Sequence, residues 1–487
     1  MQRSLSITCL VLLLPSGCTV GPDYAPPAVG MPEGWRDLDA VAGESLANVP
    51  WWQLYPDPVL QELVKEAIAQ NRDLRIAIER IEEARARYGF ARADLWPKID
   101  VTAGAGVQRT SAESLPSGVP ANDLQRTVYG VGASMSWEID LFGRIRRASE
   151  AEQALLFATQ HARAAVVLAL VADVARAYVE LRDFDRRLEI ANATLQSRRE
   201  YLDLVRIRYE GGLTSELDLR QAEAELHRTS SQVHEFDRLT QQKENEINLL
   251  LGRNPTQIPR GSAVAAMPLP PQVPAGLPAE LLQRRPDLAA AEQDLVAANA
   301  RIGEAKALLY PSISLTGFFG FESVQLNDLA AAPARAWSLG ANLLQPIFNA
   351  GQLRSRVEVT ESQQRQMLSA YELAILRALR EVEDALVGYR KSGDLRGSEQ
   401  LRVEAQRKAL ALAEVRYRGD VAPYLDVLDA QRALLEAELD EAAAIRDQYV
   451  SLIDLYRALG GGWPAEPEAG EKPAEKPAEK PDAPPDK

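Results

Sequence analysis

The two halves of the sequence are copies of one unit. The stretch RYEGGLTSELDL, beginning at Arg208, returns 208 residues later as RYRGDVAPYLDV, beginning at Arg416. A Pro-rich run at 253–278 joins the two halves. Two copies of one unit in a single chain predict a repeat architecture. Further pairs at offsets of 208 or 214 residues are Asn71 with Arg285 (NRDL and RPDL), Leu95 with Leu309 (LWP and LYP), Gly143 with Gly351, and Leu251-Gly252 with Leu459-Gly460.

Changes of composition set the predicted domain limits. The last residues repeat EKPA without a large apolar side chain, so they cannot bury enough surface to fold. The predicted organisation is a signal peptide at 1–17, an extended segment at 18–56, a first repeat at 57–252, the Pro-rich linker at 253–278, a second repeat at 279–462 and a disordered tail at 465–487.

The N-terminus has the pattern of an export signal. Arg3 precedes an apolar core at 5–14, which is too short to span a bilayer as a mature helix. Two small residues then precede Cys18, an order that resembles the bacterial lipobox, although Pro15 stands where Leu is usual. We predict that Cys18 is lipidated; a plain secretory signal and a buried leader helix are the alternatives. In such signals Thr19, in place of Asp, indicates export to the outer membrane.

Apolar residues at spacings of three and four predict helices in both halves. One helix is predicted at 73–95 and ends before a proline, as does its counterpart in the second half. The runs 143–209 and 351–417 contain no proline, and each predicts one helix about 100 Å long. Shorter helices are predicted to return at 215–251 and 423–459.

The glycines at 388, 393 and 397 are a candidate interruption of the second long helix, because glycine weakens a helix interior. A returning helix is too short to cover a long one, so each long helix is expected to pack against two shorter helices placed end to end. Such helices could form a tall coiled-coil wall. A long soluble bundle or filament is the alternative.

Four segments alternate between apolar residues and small or polar residues, which is the pattern of β-strands. They are predicted at 98–108 and 127–140 in the first half, and at 312–322 and 336–345 in the second. Their length suits a membrane-spanning strand, and Gly and Ser dominate the second face. Half-buried hairpins on a soluble sheet are the alternative.

Four strands cannot close a membrane barrel, because the smallest such barrels have about eight. An open edge in hydrocarbon would leave backbone groups unpaired. Two chains would supply enough strands for a barrel filled by side chains, and three would supply enough to enclose a pore. If these strands span a membrane, the chain must be an oligomer.

Charge and residue usage argue against several other functions. The net charge of −14 argues against a nucleic-acid partner, which demands a basic surface. The cysteines are Cys9 and Cys18, so we predict no disulfide in the mature chain. His161, His227 and His234 lie in helical runs without an HExxH pattern, and we predict them on solvated helix faces. We therefore predict no catalytic residue, no metal ligand and no cofactor.

Several motifs jointly resemble a known family, the outer membrane factors or TolC-like efflux channels. The resemblance is closest to the lipidated, NodT-type branch and covers nearly the whole mature chain up to Trp463. The motifs are CTVGPDYAPP at Cys18, WWQLYPDPVLQEL at Trp51, EIDLFGRIRR at Glu138, QPIFNAGQLR at Gln345 and RYRGDVAPYLDVLDAQRALL at Arg416, with the LWP and LYP helix ends.

The resemblance implies a fold class that is mainly α with membrane β. In a homotrimeric channel, each chain would give four strands to a 12-stranded outer-membrane barrel and long coiled-coil helices to a periplasmic α-barrel. The implied function is the exit duct of a tripartite pump, without catalytic activity. Its implied partners are outer-membrane lipid, a periplasmic adaptor protein and an inner-membrane transporter of the resistance-nodulation-division (RND) type.

The resemblance also implies a gate at the periplasmic tip, beside the two Arg-Tyr-x-Gly turns. Carried over by motif, Leu425 would lie in an apolar ring and Asp429 in an acidic ring that attracts cations. The residues expected to hold the tip shut are Arg432, Tyr417 and Arg416, with Asp218 and Tyr209 as their counterparts in the first half. The glycines expected at the turns, where an adaptor would dock, are Gly211, Gly212 and Gly419.

Ordinary helix-end chemistry is the alternative for part of this set. Asp218 lies three residues after Ser215, which is the spacing of a capping box. Glycine is common just after a helix. In addition, Pro423-Tyr424 stands where Asn-Tyr is frequent in the family, so the second turn can differ in local shape.

The exported cargo is the least determined part of the prediction. The lipobox and the GPDYAPP start favour efflux of drugs or other small molecules, while metal export stays open. One rival is an exit channel for type I protein secretion. Another is a structural lipoprotein that bridges the envelope, which would need no strands with Gly and Ser on one face.

Overall fold

The computed structural model describes residues 19–36, 57–109, 111, 125–263 and 278–461. Among these residues, no helix combines the length and the hydropathy that a bilayer crossing needs. The helices are α1 (Pro58–Gln70), α2 (Arg72–Ala93), α3 (Arg144–Glu210), α4 (Glu216–Leu250), α5 (Leu281–Arg284), α6 (Pro286–Ala307), α7 (Gln352–Arg418) and α8 (Tyr424–Ala458). The strands are β1 (Lys98–Arg109), β2 (Gln125–Ile139), β3 (Ser312–Ser323) and β4 (Arg335–Leu344).

The duplication is visible in the lengths of the helices. α3 and α7 each contain 67 residues, and α4 and α8 each contain 35. α2 and α6 each contain 22 residues and end shortly before Pro97 and Pro311, where a helix cannot continue. At 67 residues, α3 and α7 each extend about 100 Å.

α7 runs without a break through its three glycines, so the predicted interruption at Gly388, Gly393 and Gly397 is wrong. A Cβ on Gly388 would lie 3.6 Å from Ser451 Oγ, and a Cβ on Gly393 would lie 3.3 Å from Gln448 Nε2. Both partners belong to α8. Both glycines therefore face α8, and packing against a neighbouring helix outweighs their low helix propensity.

The chain divides into two compact units. The first comprises residues 1–30, 73–165 and 287–377, and so contains the sheet, nearly all of α2 and α6, and the beginnings of α3 and α7. The second comprises residues 31–72, 166–286 and 378–487, and contains α1, α4, α5, α8 and the rest of the long helices.

The sheet of the first unit contains the four predicted strands. It is antiparallel with the order β1-β2-β3-β4. Side chains of the two faces differ, because successive residues of a strand point to opposite sides. One face carries exposed apolar residues, and the other is dominated by small ones. Two neighbouring rows show this: Val101, Ala133, Phe319 and Trp337 on one face, and Thr102, Gly132, Gly320 and Ala336 on the other.

Close helix packing supports the sheet within the first unit. Ala151 and Ala154 of α3 form a buried cluster with Ala297 and Ala300 of α6. Small side chains at all four positions let the two helix backbones approach closely. Trp137 ties the sheet to the turn that follows α2, because its Nε1–H donates a hydrogen bond of 3.0 Å to the carbonyl of Leu95.

Candidate functional site

In the second unit the chain reverses at two turns, residues 211–215 between α3 and α4 and residues 419–423 between α7 and α8. Both are Schellman turns, which need one residue in the left-handed region. Gly212 has φ +71° and Asp420 has φ +55°, at a steric cost for Asp420 of about 1 kcal/mol. The closing bonds run from Leu213 N to Arg208 O (2.8 Å), Gly212 N to Tyr209 O (2.9 Å), Val421 N to Arg416 O (2.9 Å) and Asp420 N to Tyr417 O (3.2 Å).

The two returning helices begin differently. In a capping box, Ser215 Oγ accepts from the N–H of Asp218 at 3.2 Å, and Asp218 Oδ2 accepts from the N–H of Ser215 at 3.3 Å. Burial raises the pKa of the Asp218 carboxyl, but hydrogen bonds from Thr214 and Ser215 outweigh this effect, so the pKa lies below its usual value. α8 begins after Pro423, which offers no side-chain cap.

One arginine ties the two turns together. Arg208 forms an ion pair with the Asp420 carboxylate, and its guanidinium lies 4.9 Å from the centroid of the Tyr417 ring. That ring packs against Tyr424, with centroids 5.7 Å apart. Both tyrosines are buried in an apolar cluster to which α3, α4, α7 and α8 all contribute. The second turn, which lacks a side-chain cap, is therefore held by the first repeat.

A charged cluster lies about two helical turns from these reversals. Arg432 of α8 donates two hydrogen bonds to Glu225 Oε1 of α4, at 2.9 Å from Nε and 2.5 Å from Nη2. Arg198 of α3 donates to Gln431 Oε1 at 2.5 Å, and its Nη2 lies 3.7 Å from Glu225 Oε2. Arg198, Glu225 and Gln431 are buried. The cluster thus joins three helices from both repeats.

The electrostatics of this cluster are only partly balanced. Burial raises the pKa of Glu225, but the hydrogen bonds and charge of Arg432, helped by Arg198 and Arg228, hold it below the usual value. Burial lowers the pKa of Arg198 more than Glu225 raises it. Among the described residues, Nε and Nη2 of Arg198 and Nε2 of Gln431 are buried without a hydrogen-bond partner. A buried donor without a partner is costly, about 1–3 kcal/mol, so the charge of Glu225 only partly compensates the burial of Arg198.

The predicted gate residues of the second repeat lie at the start of α8 and the end of α7. Leu425 and Asp429 are exposed, and Asp429 lies 3.6 Å from Nη1 of Arg432. Tyr417 is buried, whereas its neighbour Arg416 is exposed. The prediction that Arg432 holds the tip shut remains a proposal, and the carboxylate it contacts most closely is Glu225.

The predicted residues of the first repeat lie around the α3–α4 turn. Tyr209 is exposed, and Asp218 caps α4, which is the alternative that its spacing from Ser215 predicted. At the offset of 208 residues the counterpart of Asp218 is Asp426, so Asp218 and Asp429 are not equivalent positions. Gly211 and Gly212 lie in this turn and Gly419 in the other, and both turns line a cleft of about 820 Å³.

Sequence reasoning missed the buried polar residues Arg198, Glu225 and Gln431. The sequence could have revealed them because each polar residue stands at a helix position where the spacing predicts an apolar one. Arg198, for example, lies three residues after Leu195 and four before Leu202. It also missed the Arg208–Asp420 ion pair, although Arg208 is the repeat counterpart of the predicted Arg416.

Several sequence predictions fall elsewhere. The signal peptide at 1–17, Cys18 and the tail at 465–487 lie outside the described residues. His227 and His234 are exposed as predicted, but His161 is half-buried, and burial lowers its pKa. In the part of the chain that the structure describes, no group of three or more His, Cys, Asp or Glu is placed to hold a metal ion.

Comparison with known proteins assigns the chain to a family. The family model of outer membrane efflux proteins matches residues 63–253 and 277–461. The solvent efflux pump outer membrane protein SrpC of Pseudomonas putida is 38% identical over 465 residues, which are 94% of this chain and 98% of SrpC. The cation efflux system protein CusC of Escherichia coli is 32% identical over 459 residues, 93% of this chain and 98% of CusC.

The fold agrees with this assignment. The solved structure of the outer-membrane channel OprN matches with a TM-score of 0.83 at 33% identity, covering 92% of this chain and all of that chain. The protein belongs to the outer membrane efflux protein family and is an efflux channel protein of the outer membrane.

Proposed function

We propose that three copies of this chain form the gated exit duct of a tripartite efflux pump. The observation that carries the proposal is the four-stranded sheet, which has an exposed apolar face and in which β1 and β4 are the edge strands. An apolar face of this kind suits hydrocarbon, and edge strands in hydrocarbon must find partners. Three copies supply twelve strands, with the small-residue face toward a wet lumen.

The long helices would form the periplasmic part of this duct, which would close at the two turns. Threefold symmetry would bring three copies of Leu425 and of Asp429 together. The Asp429 carboxylates would repel one another and attract cations, while the apolar ring of Leu425 would exclude water. Arg432, Tyr417 and Arg416 would hold the closed position, with Tyr209 beside the first turn and Asp218 acting as the cap of α4.

Opening would require the second repeat to move relative to the first. The Arg432–Glu225 and Arg208–Asp420 pairs both join the repeats and would have to rearrange. An adaptor protein that docks at Gly211, Gly212, Gly419 and the cleft between the turns could supply the new contacts. An inner-membrane transporter of the RND type would deliver the cargo.

The cargo would be small molecules rather than protein. Relatives that resemble the chain over nearly its whole length are named for efflux of solvent, toluene, antibiotics and cations. An exit duct need not bind its cargo tightly, so one channel can pass several classes. Lipid attached to Cys18 would anchor each copy in the outer membrane.

The oligomeric state tests this proposal directly. Native mass spectrometry of the detergent-solubilised protein should give three times the mass of the mature chain plus its lipid. Circular dichroism should show a minor β contribution in a mainly helical spectrum. A monomer that remains folded in detergent would refute the duct, because one chain cannot close the sheet.

A further inference from the structure

Residues 19–24, here called the N-terminal strap, are bound to the helices of the first unit. The chain at this point could have been a free tether, yet it makes hydrogen bonds along its length. Two of them use backbone groups of the strap, so they do not depend on its side chains. The bonds run from Val20 N to Phe142 O (3.1 Å), from Asn299 Nδ2 to Pro22 O (3.0 Å) and from Tyr24 Oη to Glu292 Oε1 (3.1 Å).

A glycine-to-glycine contact seats the strap on α6. Gly21 has φ +103°, and a Cβ at this position would overlap the Cα of Gly303. A Cβ on Gly303 would lie 2.7 Å from Val20 O and 2.8 Å from Arg147 Cγ. Real Cβ contacts are longer than this, so the two backbones can touch only while both residues are glycine.

Arg147 of α3 clamps the strap from the other side. Its side chain is 5% exposed, and its Nη2 donates to Asp23 Oδ1 of the strap at 2.6 Å. Its Nη1 donates to Glu150 Oε2 at 2.8 Å, which fixes the guanidinium from its own helix. The Asp23 side chain is 91% exposed, so its substitution removes this ion pair and little packing.

The strap begins beside the segment that follows β2, which is here called the foot of the sheet. Thr19 packs against Gly143, where a Cβ would lie 2.7 Å from Thr19 Cγ2, and Gly143 follows the end of β2 by four residues. Cys18 is joined to Thr19 by one peptide bond, which limits the separation of their Cα atoms to about 4 Å. Anything attached to Cys18 therefore starts beside the end of β2.

From these contacts we infer that the N-terminal strap positions the lipid anchor, with Gly303 and Arg147 as its positioning residues. This inference rests on the proposed lipidation of Cys18. The strap holds the attachment point beside the foot of the strands, so the acyl chains enter the bilayer next to β2 instead of at the end of a free tether. Anchor and strands are thereby presented to the membrane together.

Hydrogen exchange measured by mass spectrometry on the intact protein in detergent tests the seating. Gly303→Ala should speed exchange in the peptide that contains the strap by about tenfold or more. Gly89→Ala in α2 is the matched control, because a Cβ there meets nothing within 4 Å. Alanine favours a helix at both positions, so a loss of protection confined to Gly303→Ala reports the strap and not the helix.

Asp23 offers a second variant that cannot threaten the fold, since its side chain is exposed. Asp23→Ala should also speed exchange in the strap, by about threefold or more, and Asp23→Glu should restore most of the protection. Unchanged exchange in both Gly303→Ala and Asp23→Ala would overturn the inference.

A photoreactive fatty acid fed to the cells, with its diazirine near the carboxyl end, tests the position of the anchor. In the wild-type protein, crosslinks should concentrate in residues 135–147, and in Gly303→Ala they should spread over other peptides. Crosslinks spread equally in both proteins would overturn the inference while the lipid anchor stands. Absence of fatty acid from Cys18, with the strap still protected, would instead refute the lipid anchor itself.

Discussion

Arg432 and Glu225 join the second repeat to the first through two hydrogen bonds, at 2.9 and 2.5 Å, to a single carboxylate oxygen. The other oxygen of Glu225 faces Nη2 of the buried Arg198 at 3.7 Å. One carboxylate of α4 therefore binds arginines of both α3 and α8. If the tip opens as proposed, by a movement of one repeat relative to the other, this contact has to rearrange.

Glu225→Gln should destabilise the folded protein strongly. The substitution leaves Arg198 buried without a compensating charge, and breaking a buried pair in this way costs about 3–5 kcal/mol. Glu223→Gln is the matched control on the same helix, because its partner Arg220 is exposed and such surface pairs contribute at most about 1 kcal/mol. Chemical denaturation of both variants measures the difference, and equal losses would contradict the role of Glu225.

The contribution of Glu225 should depend on pH in a defined direction. Its pKa in the folded protein lies below the ordinary value of 4.5, so folding favours the ionised form. The stabilisation is fully present above about pH 4.5 and is lost as the pH falls through the lowered pKa. Calorimetry should therefore show that the wild-type protein exceeds Glu225→Gln in melting temperature at pH 7, and that this difference narrows as the pH falls below 4.5. A constant gap would show that ionisation of Glu225 does not stabilise the tip.

Much of the fold could be predicted because its signals are local and periodic. Absence of proline over 143–209 predicts a long helix whatever the helix packs against, and α3 indeed spans Arg144–Glu210. Alternation of apolar and small residues likewise predicts four strands, and each predicted strand has a counterpart in the other repeat. Gly388 and Gly393 were misleading because their effect depends on α8, which lies opposite.

The site was less predictable because it depends on how the two repeats face each other. Asp420 occupies the left-handed position that Gly212 fills in the first repeat, and the sequence alone does not say that Arg208 will reach it. A polar residue in an apolar stripe, such as Arg198, resembles a simple irregularity until its partners on α4 and α8 are known.

Two substitutions of Asp420 should distinguish the effect of backbone strain in the turn from that of the ion pair with Arg208. Asp420→Gly removes the pair with Arg208 but relieves the left-handed backbone, so the free energy of unfolding should change by less than about 1 kcal/mol. Asp420→Ala loses the same pair and keeps the strain, so it should be less stable than the glycine variant by about 1 kcal/mol. Thermal unfolding of the two variants gives the comparison, and a more stable alanine variant would contradict it.

Asp218 should act on stability alone. Asp218→Ala removes half of the capping box of α4 and should cost about 1 kcal/mol, with channel conductance unchanged. Glu216→Ala is the control in the same helical turn, because Glu216 is exposed and caps nothing. If Asp218→Ala raised the conductance, Asp218 would belong to the gate as well as to the cap.

Single-channel recording in planar bilayers tests whether the gate lies at the two helix turns. We predict a low conductance for the wild-type channel, a several-fold higher one for the Glu225→Gln, Asp420→Gly double variant, and a higher, less cation-selective one for Asp429→Ala. Glu223→Gln should conduct like the wild type. Equal conductance and selectivity in all four proteins would contradict the placement of the gate at the two helix turns.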